Sequence, residues 1–174
     1  MKTLTLLAYI AVIVAANLAT TYLGLIPAGF GFLVTAGTYA AGLALGVRDL
    51  LQDVAGIRWV LAGLVAGVAV SAVGGDPRIA LASAVAFLLS EGIDLAVYTP
   101  LRKRGFRRAV AASNAVGAVV DTFVFLLIAG FPLTTSLVGG QLLVKAVWVT
   151  GSFLIVAEVV RRVVPRKPQL AQGA

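Results

Sequence analysis

Apolar and polar positions alternate along the chain at long range, giving six apolar runs separated by short breaks. The runs are Thr3–Tyr22, Phe30–Val47, Ile57–Val73, Ile79–Tyr98, Ala109–Gly130 and Ser136–Val160. Each approaches the roughly 20 residues that a helix needs to cross a hydrocarbon layer about 30 Å thick. The breaks carry turn chemistry: GLIPAGFG after the first run, GGDPR after the third and GFPLT after the fifth. The pattern predicts an all-α integral membrane protein with six transmembrane helices. These form one domain over 1–160, followed by a basic tail at 161–174. The opening MKTLTLLAYIAVIVAANLA imitates a signal peptide. Its apolar run continues to Tyr22, however, so it reads as a retained first helix.

Composition supports this reading. Hydrophobic residues make up 60% of the 174 and charged residues 12%, and mean hydropathy is +1.03. Soluble domains are typically about 45–50% apolar. Cysteine and histidine are absent, which excludes disulfides, thiolate metal sites and imidazole acid–base chemistry. The sequence has no G-x-x-x-x-G-K-[ST], so no P-loop hydrolyses nucleotide. Neither a metal nor a cofactor is expected.

The net charge of +7 would suggest nucleic acid in a soluble protein. Here the basic residues lie between apolar runs and set topology instead. RKRGFRR at 102–108 separates runs four and five, Arg161, Arg162, Arg166 and Lys167 follow run six, Arg48 and Arg58 flank the second connection, and Lys2 precedes run one. In a six-span arrangement all of these fall on one side, so both termini are expected in the cytoplasm and the protein in the inner (plasma) membrane. RKRGFRR also suits anionic membrane lipid. Small residues recur at Ala11, Ala15 and Ala19 and at Gly63 and Gly67, the spacing by which membrane helices pack. Self-association is left open.

Polar residues inside the runs are the candidate chemistry, because an ionisable group at mid-bilayer costs on the order of 2.5–3.5 kcal/mol. Glu91, Asp94 and Tyr98 share one helical stripe, Asn114 and Asp121 share another, and Gln141 and Lys145 a third; Asn17 lies on run one. Measured at 1.5 Å per residue from each run's start, Glu91 and Asp121 lie about 18 Å in and Lys145 about 14 Å in. The stripes should therefore converge near mid-depth. Lys145 can neutralise only one acid, and the remainder favour a ligand or ion site over packing alone. Arg48, Asp49 and Asp53 in RDLLQDVAG are placed at the cytoplasmic boundary.

Three ordered segments resemble the VUT family, the queuosine precursor transporters. They are VRDLLQDVAGIRW, ASAVAFLLSEGIDLAVYTPLRKR and AASNAVGAVVDTFVFLLIAG. They match R-D-x-x-x-D-x-x-G, then S-E/Q-x-x-D-x-x-x-Y/F-x-x-L-R, then S-N-x-x-x-x-x-x-D-T-x-x-F, over most of residues 40–130. Gly130 stands where the pattern has an aromatic. The resemblance implies uptake of 7-cyano-7-deazaguanine or its aminomethyl form. It makes Arg48, Asp49, Asp53, Glu91, Asp94, Asn114 and Asp121 the family-type polar positions. A carboxylate can accept from the adjacent N1–H and exocyclic amine of such a base. Phe87, Tyr98, Phe125 or Trp148 could stack on its ring, while Asn114 and Gln141 suit a carbonyl and a ring nitrogen. The expected substrate contacts are Glu91, Asp94, Asn114, Asp121, Asn17, Gln141, Lys145 and Tyr98, with Arg48, Asp49 and Asp53 serving a gate or coupling.

An alternative is the substrate-capture subunit of an ATPase-driven vitamin transporter, for which an alanine-lined first helix is suited. An intramembrane acid dyad of Glu91 and Asp121 would be the enzymatic reading. VGGDP falls in an outer loop and starts with Val73 in place of glycine, so no enzyme is expected.

Overall fold

The glycines and prolines that interrupt the hydrophobic pattern mark where the chain turns. The computed structural model describes residues 2–101 and 106–149; the side chains of Asp49, Asp53, Asp94, Tyr98, Asn114 and Trp148 are among those outside the description. Most of RKRGFRR, the end of run six and the basic tail also lie outside it. Helix α1 spans Lys2–Leu23. Strands β1 (Leu25–Gly29) and β2 (Phe32–Thr35) follow, then α2 (Thr38–Ala55), α3 (Ile57–Gly74), α4 (Pro77–Leu101) and α5 (Phe106–Ala129). Helix α6 (Thr135–Leu143) continues as a π-helical turn over Val144–Val149.

The second apolar run departs from expectation. Its first residues form the second strand of an antiparallel hairpin whose first strand lies in the preceding break, pairing Leu25 with Thr35, Ile26 with Val34 and Pro27 with Leu33. Gly29, Phe30 and Gly31 turn it with φ of 91°, 54° and 79°, backbone that glycine adopts freely. Helix α2 then starts eight residues later than the run and passes straight through RDLLQDVA. Leu51 within that stretch is fully buried, and Arg48 has an acidic partner on α4, so the polar sequence does not end the helix. Gly56, at φ 89°, does so, donating its N–H to the Gln52 carbonyl at 2.8 Å. Arg48 therefore lies about 10 Å inside the helix, and the turn at Gly56 takes the boundary position expected for RDLLQDVAG.

Helices α1 and α3 run parallel with close approach. A Cβ at Gly63 would come 2.8 Å from Tyr9 Cδ1, and one at Gly67 2.9 Å from Ile13 Cγ2. The glycine pair packs as its spacing predicts. The alanine series does not: Ala11 and Ala15 are exposed, and the packed face of α1 is Tyr9, Ile13, Ala16, Asn17 and Thr20. Tyr9 and Ile13 join Ala44, Leu51, Val60 and Leu64 in the core. The alternation of turns makes α4 and α5 an antiparallel pair, closed at one end by Arg78, whose Nε donates to the Ile128 carbonyl at 2.6 Å. Gly130, at φ 80°, lies against that guanidinium. An aromatic there would meet both a strained backbone and Arg78, which explains the departure from the family pattern.

Large apolar side chains such as Leu4, Val65, Val73, Leu81 and Leu127 remain exposed around the bundle. Among the described residues, α1 and α3 are long and apolar enough to cross a membrane, with mean hydropathy 1.9 and 1.8.

Candidate functional site

The hairpin ends in TAGT, and this elbow packs hard against the bundle. A Cβ on Gly37 would run into the Ala16 carbonyl oxygen and the Thr20 hydroxyl, so only glycine permits the approach. The Gly37 N–H donates to Thr20 Oγ1 at 3.1 Å, and Thr20 Oγ1 donates to the Ala16 carbonyl at 3.1 Å. Thr35 and Thr38 share a hydrogen bond of 2.8 Å; Thr38 Oγ1 donates to Gln141 Oε1 at 3.2 Å and Gln141 Nε2 to Thr35 Oγ1 at 3.0 Å. This closed triangle ties α6 to the elbow. Buried amides of this kind need their partners, since an unmade bond costs about 1–3 kcal/mol.

Behind the elbow lies a cavity of about 50 Å³. Its charged lining is Asp121 and Lys145; Asn17, Gln141, Ser83 and Phe125 add polar and aromatic surface. Lys145 Nζ donates to Asp121 Oδ2 at 2.6 Å and to Thr122 Oγ1 at 2.8 Å. The lysine projects from the π turn, a distortion often found where function fixes a side chain. Phe125 is held by stacking on Phe131, with centroids 6.4 Å apart and planes 25° apart.

The hydrogen bonds orient Asn17. Ser71 Oγ gives its proton to the Gly67 carbonyl at 2.6 Å, so it accepts from Asn17 Nδ2 at 3.1 Å. The amide oxygen is then the side chain's remaining acceptor. Lys145 likewise occupies Asp121 Oδ2, leaving Oδ1 without a protein donor among the described residues.

A second polar level lies below the cavity. Arg48 of α2 forms an ion pair with Glu91 of α4. Counted at 1.5 Å per residue, Glu91 is about 12 Å beyond Ser83, Arg48 about 10 Å beyond Ala41, and Tyr9 about 12 Å beyond Asn17. All three displacements run toward the end of the bundle where α1 begins. Two levels replace the single convergence expected from sequence. The cause is helix length: α4 starts two residues before its apolar run and α5 three before its own, which pushes Glu91 and Asp121 apart in depth. Each acid holds a different cation, so the two do not form the carboxyl dyad of the enzymatic reading.

Of the expected contacts, Asn17, Asp121, Gln141 and Lys145 line the cavity, while Glu91 and Arg48 form the lower pair. By backbone position Asp94 and Asn114 belong to the lower half; their side chains, with those of Tyr98, Asp49 and Asp53, lie outside the described residues. Phe87 packs on the core cluster. Thr35, Thr38, Ser83 and Thr122 were missed. Isolated hydroxyls are common in apolar helices, though threonines flanking Gly37 and the DT pair at Asp121 could have marked three of them.

A family model described as "putative vitamin uptake transporter" matches residues 3–159. No curated protein and no solved structure matches the chain.

Proposed function

The chain belongs to the family of vitamin uptake transporters, and from that premise we propose that it imports a 7-deazaguanine queuosine precursor or a similar purine-like base across the cell membrane. In this reading the described helices, with the remainder of run six, form six spans with both termini in the cytoplasm. The observation that carries the proposal is the cavity, where Asp121 Oδ1 and Asn17 Oδ1 offer acceptors and Phe125 offers a ring face. A guanine-type edge presents adjacent N–H donors that suit two such acceptors. At 50 Å³ the cavity holds roughly three to five waters, at about 10–15 Å³ each. A cavity of about 150 Å³ is the scale that admits benzene, so a bicyclic base requires the helices to part. The Arg48–Glu91 pair, joining α2 to α4 below the cavity, is placed to close the inner path and to separate on release.

Uptake of labelled precursor by a strain dependent on external precursor tests the reading. Expression of the chain should restore uptake, and Asn17→Ala with Asp121→Asn should abolish it. Uptake undiminished by those substitutions would remove the cavity as the site. A second reading, a capture subunit docking on a separate membrane partner, is favoured by the outward-facing Ala11 and Ala15, which would let another helix approach closely. Copurification of that partner, with no uptake by the chain alone, would select it.

A further inference from the structure

Resting on the base-binding reading above, we infer that the cavity selects an uncharged ligand and rejects a cationic one, so that the cyano precursor is preferred over the aminomethyl precursor. Among the described residues, the cavity's charged lining is one carboxylate and one ammonium, already joined at 2.6 Å. Its charge is balanced before any ligand enters. The Lys145 side chain is only 13% exposed, so water screens the ammonium little. An aminomethyl cation placed on Asp121 Oδ1 would share one carboxylate with Lys145, leaving a net positive charge among side chains that are otherwise uncharged. Such an excess is costly where the effective dielectric is low.

Among the described residues, no second acid lines the cavity to relieve this. Glu91, the next acid on α4, lies about 12 Å beyond Ser83 and is engaged by Arg48. A neutral base donating to Asp121 Oδ1 and Asn17 Oδ1 preserves the balance and uses acceptors that the protein leaves open. Lys145 is thus a specificity-determining residue: it holds Asp121 in place and repels the wrong charge, an attractive and a repulsive element in one side chain.

Calorimetric binding of 7-cyano- and 7-aminomethyl-7-deazaguanine to the purified full chain tests the inference. The wild type should bind the cyano form at least about tenfold more tightly, a difference of about 1.4 kcal/mol. Lys145→Gln should free Asp121 for the cation and reverse the order. Asp121→Asn should weaken the cyano form and abolish aminomethyl binding. Should Lys145→Gln fail to fold, the wild type is titrated with 7-hydroxymethyl-7-deazaguanine, an uncharged match in size for the aminomethyl form, which should bind within about threefold of the cyano form; rejection of it as well would overturn the inference. Equal binding of both forms by the wild type, or a preference unmoved by these substitutions, overturns the inference alone. Binding of neither form overturns the base reading and the inference with it.

Discussion

Tyr9 is wholly buried, yet its hydroxyl has no hydrogen-bond partner among the described residues. A buried orphan of this kind costs about 1–3 kcal/mol, and removing the group removes the cost. Tyr9→Phe should therefore leave thermal stability unchanged or raise the Tm by a few degrees, as differential scanning fluorimetry of the purified protein would report. The hydroxyl also stands within electrostatic reach of Arg48, at the level of the Arg48–Glu91 pair. If it receives Arg48 when that pair separates, the same substitution slows uptake while stabilising the resting protein. A merely structural tyrosine would move the two measurements together. At this scale the sequence marked most polar residues that matter, because charge inside an apolar run is conspicuous. Partners were harder to read. Lys145 was the cation noticed, whereas Arg48 was assigned to a boundary that the helix in fact passes.

Among the elements, the hairpin was the least legible. An apolar stretch of this length satisfies a helix template and a pair of strands equally well, and only GFGF argued for a turn. Its consequence is mechanical. Gly140 of α6 lies so near the Leu33 carbonyl that a Cβ would overlap it, and Gly139 meets Phe32 similarly. Ser136 Oγ both accepts from the Leu33 N–H at 3.1 Å and donates to the Gly31 carbonyl at 3.0 Å. Gly140→Ala should push the hairpin from α6, costing about 1–3 kcal/mol or more, and should break the Thr35–Thr38–Gln141 triangle. A lowered Tm with accelerated proteolysis at 25–35 is expected; Ala at Gly92, where a Cβ meets open space, supplies the control. Helix α3, by contrast, was legible to within a residue, since Gly56 and Gly75 bracket an uninterrupted apolar run.

For the whole molecule, α1, α2 and α3 share one core on which α4 packs through Phe87, and the Arg48–Glu91 pair adds a second link between α2 and α4 below the cavity. Arg48→Glu or Glu91→Arg alone should place like charges together and cut uptake at least about tenfold. The double exchange should restore much of it, the coupling expected of contacting residues. Because the chain has no cysteine, a single cysteine at Ser83 would report opening of the proposed gate by thiol labelling from the inner side, faster in either single variant than in the exchange. The mainly helical character of the runs was legible because a membrane segment needs length and apolarity; the depth at which each acid meets its cation was not, since that depends on helix ends.

The pairing of Asp121 with Lys145 has an electrical consequence. A membrane potential acts on net charge, at about 2.3 kcal/mol per elementary charge per 100 mV. The Asp121–Lys145 pair in the cavity carries its two signs together, so a transition that moves it as a unit drags no net charge through the field. On the proposed uptake of a neutral base, transport would be electrically silent. Uptake of the cyano precursor into vesicles bearing the chain should then proceed at one rate whether an imposed potassium diffusion potential is inside-negative, inside-positive or collapsed. The cell's voltage would neither drive this cargo inward nor hold it there.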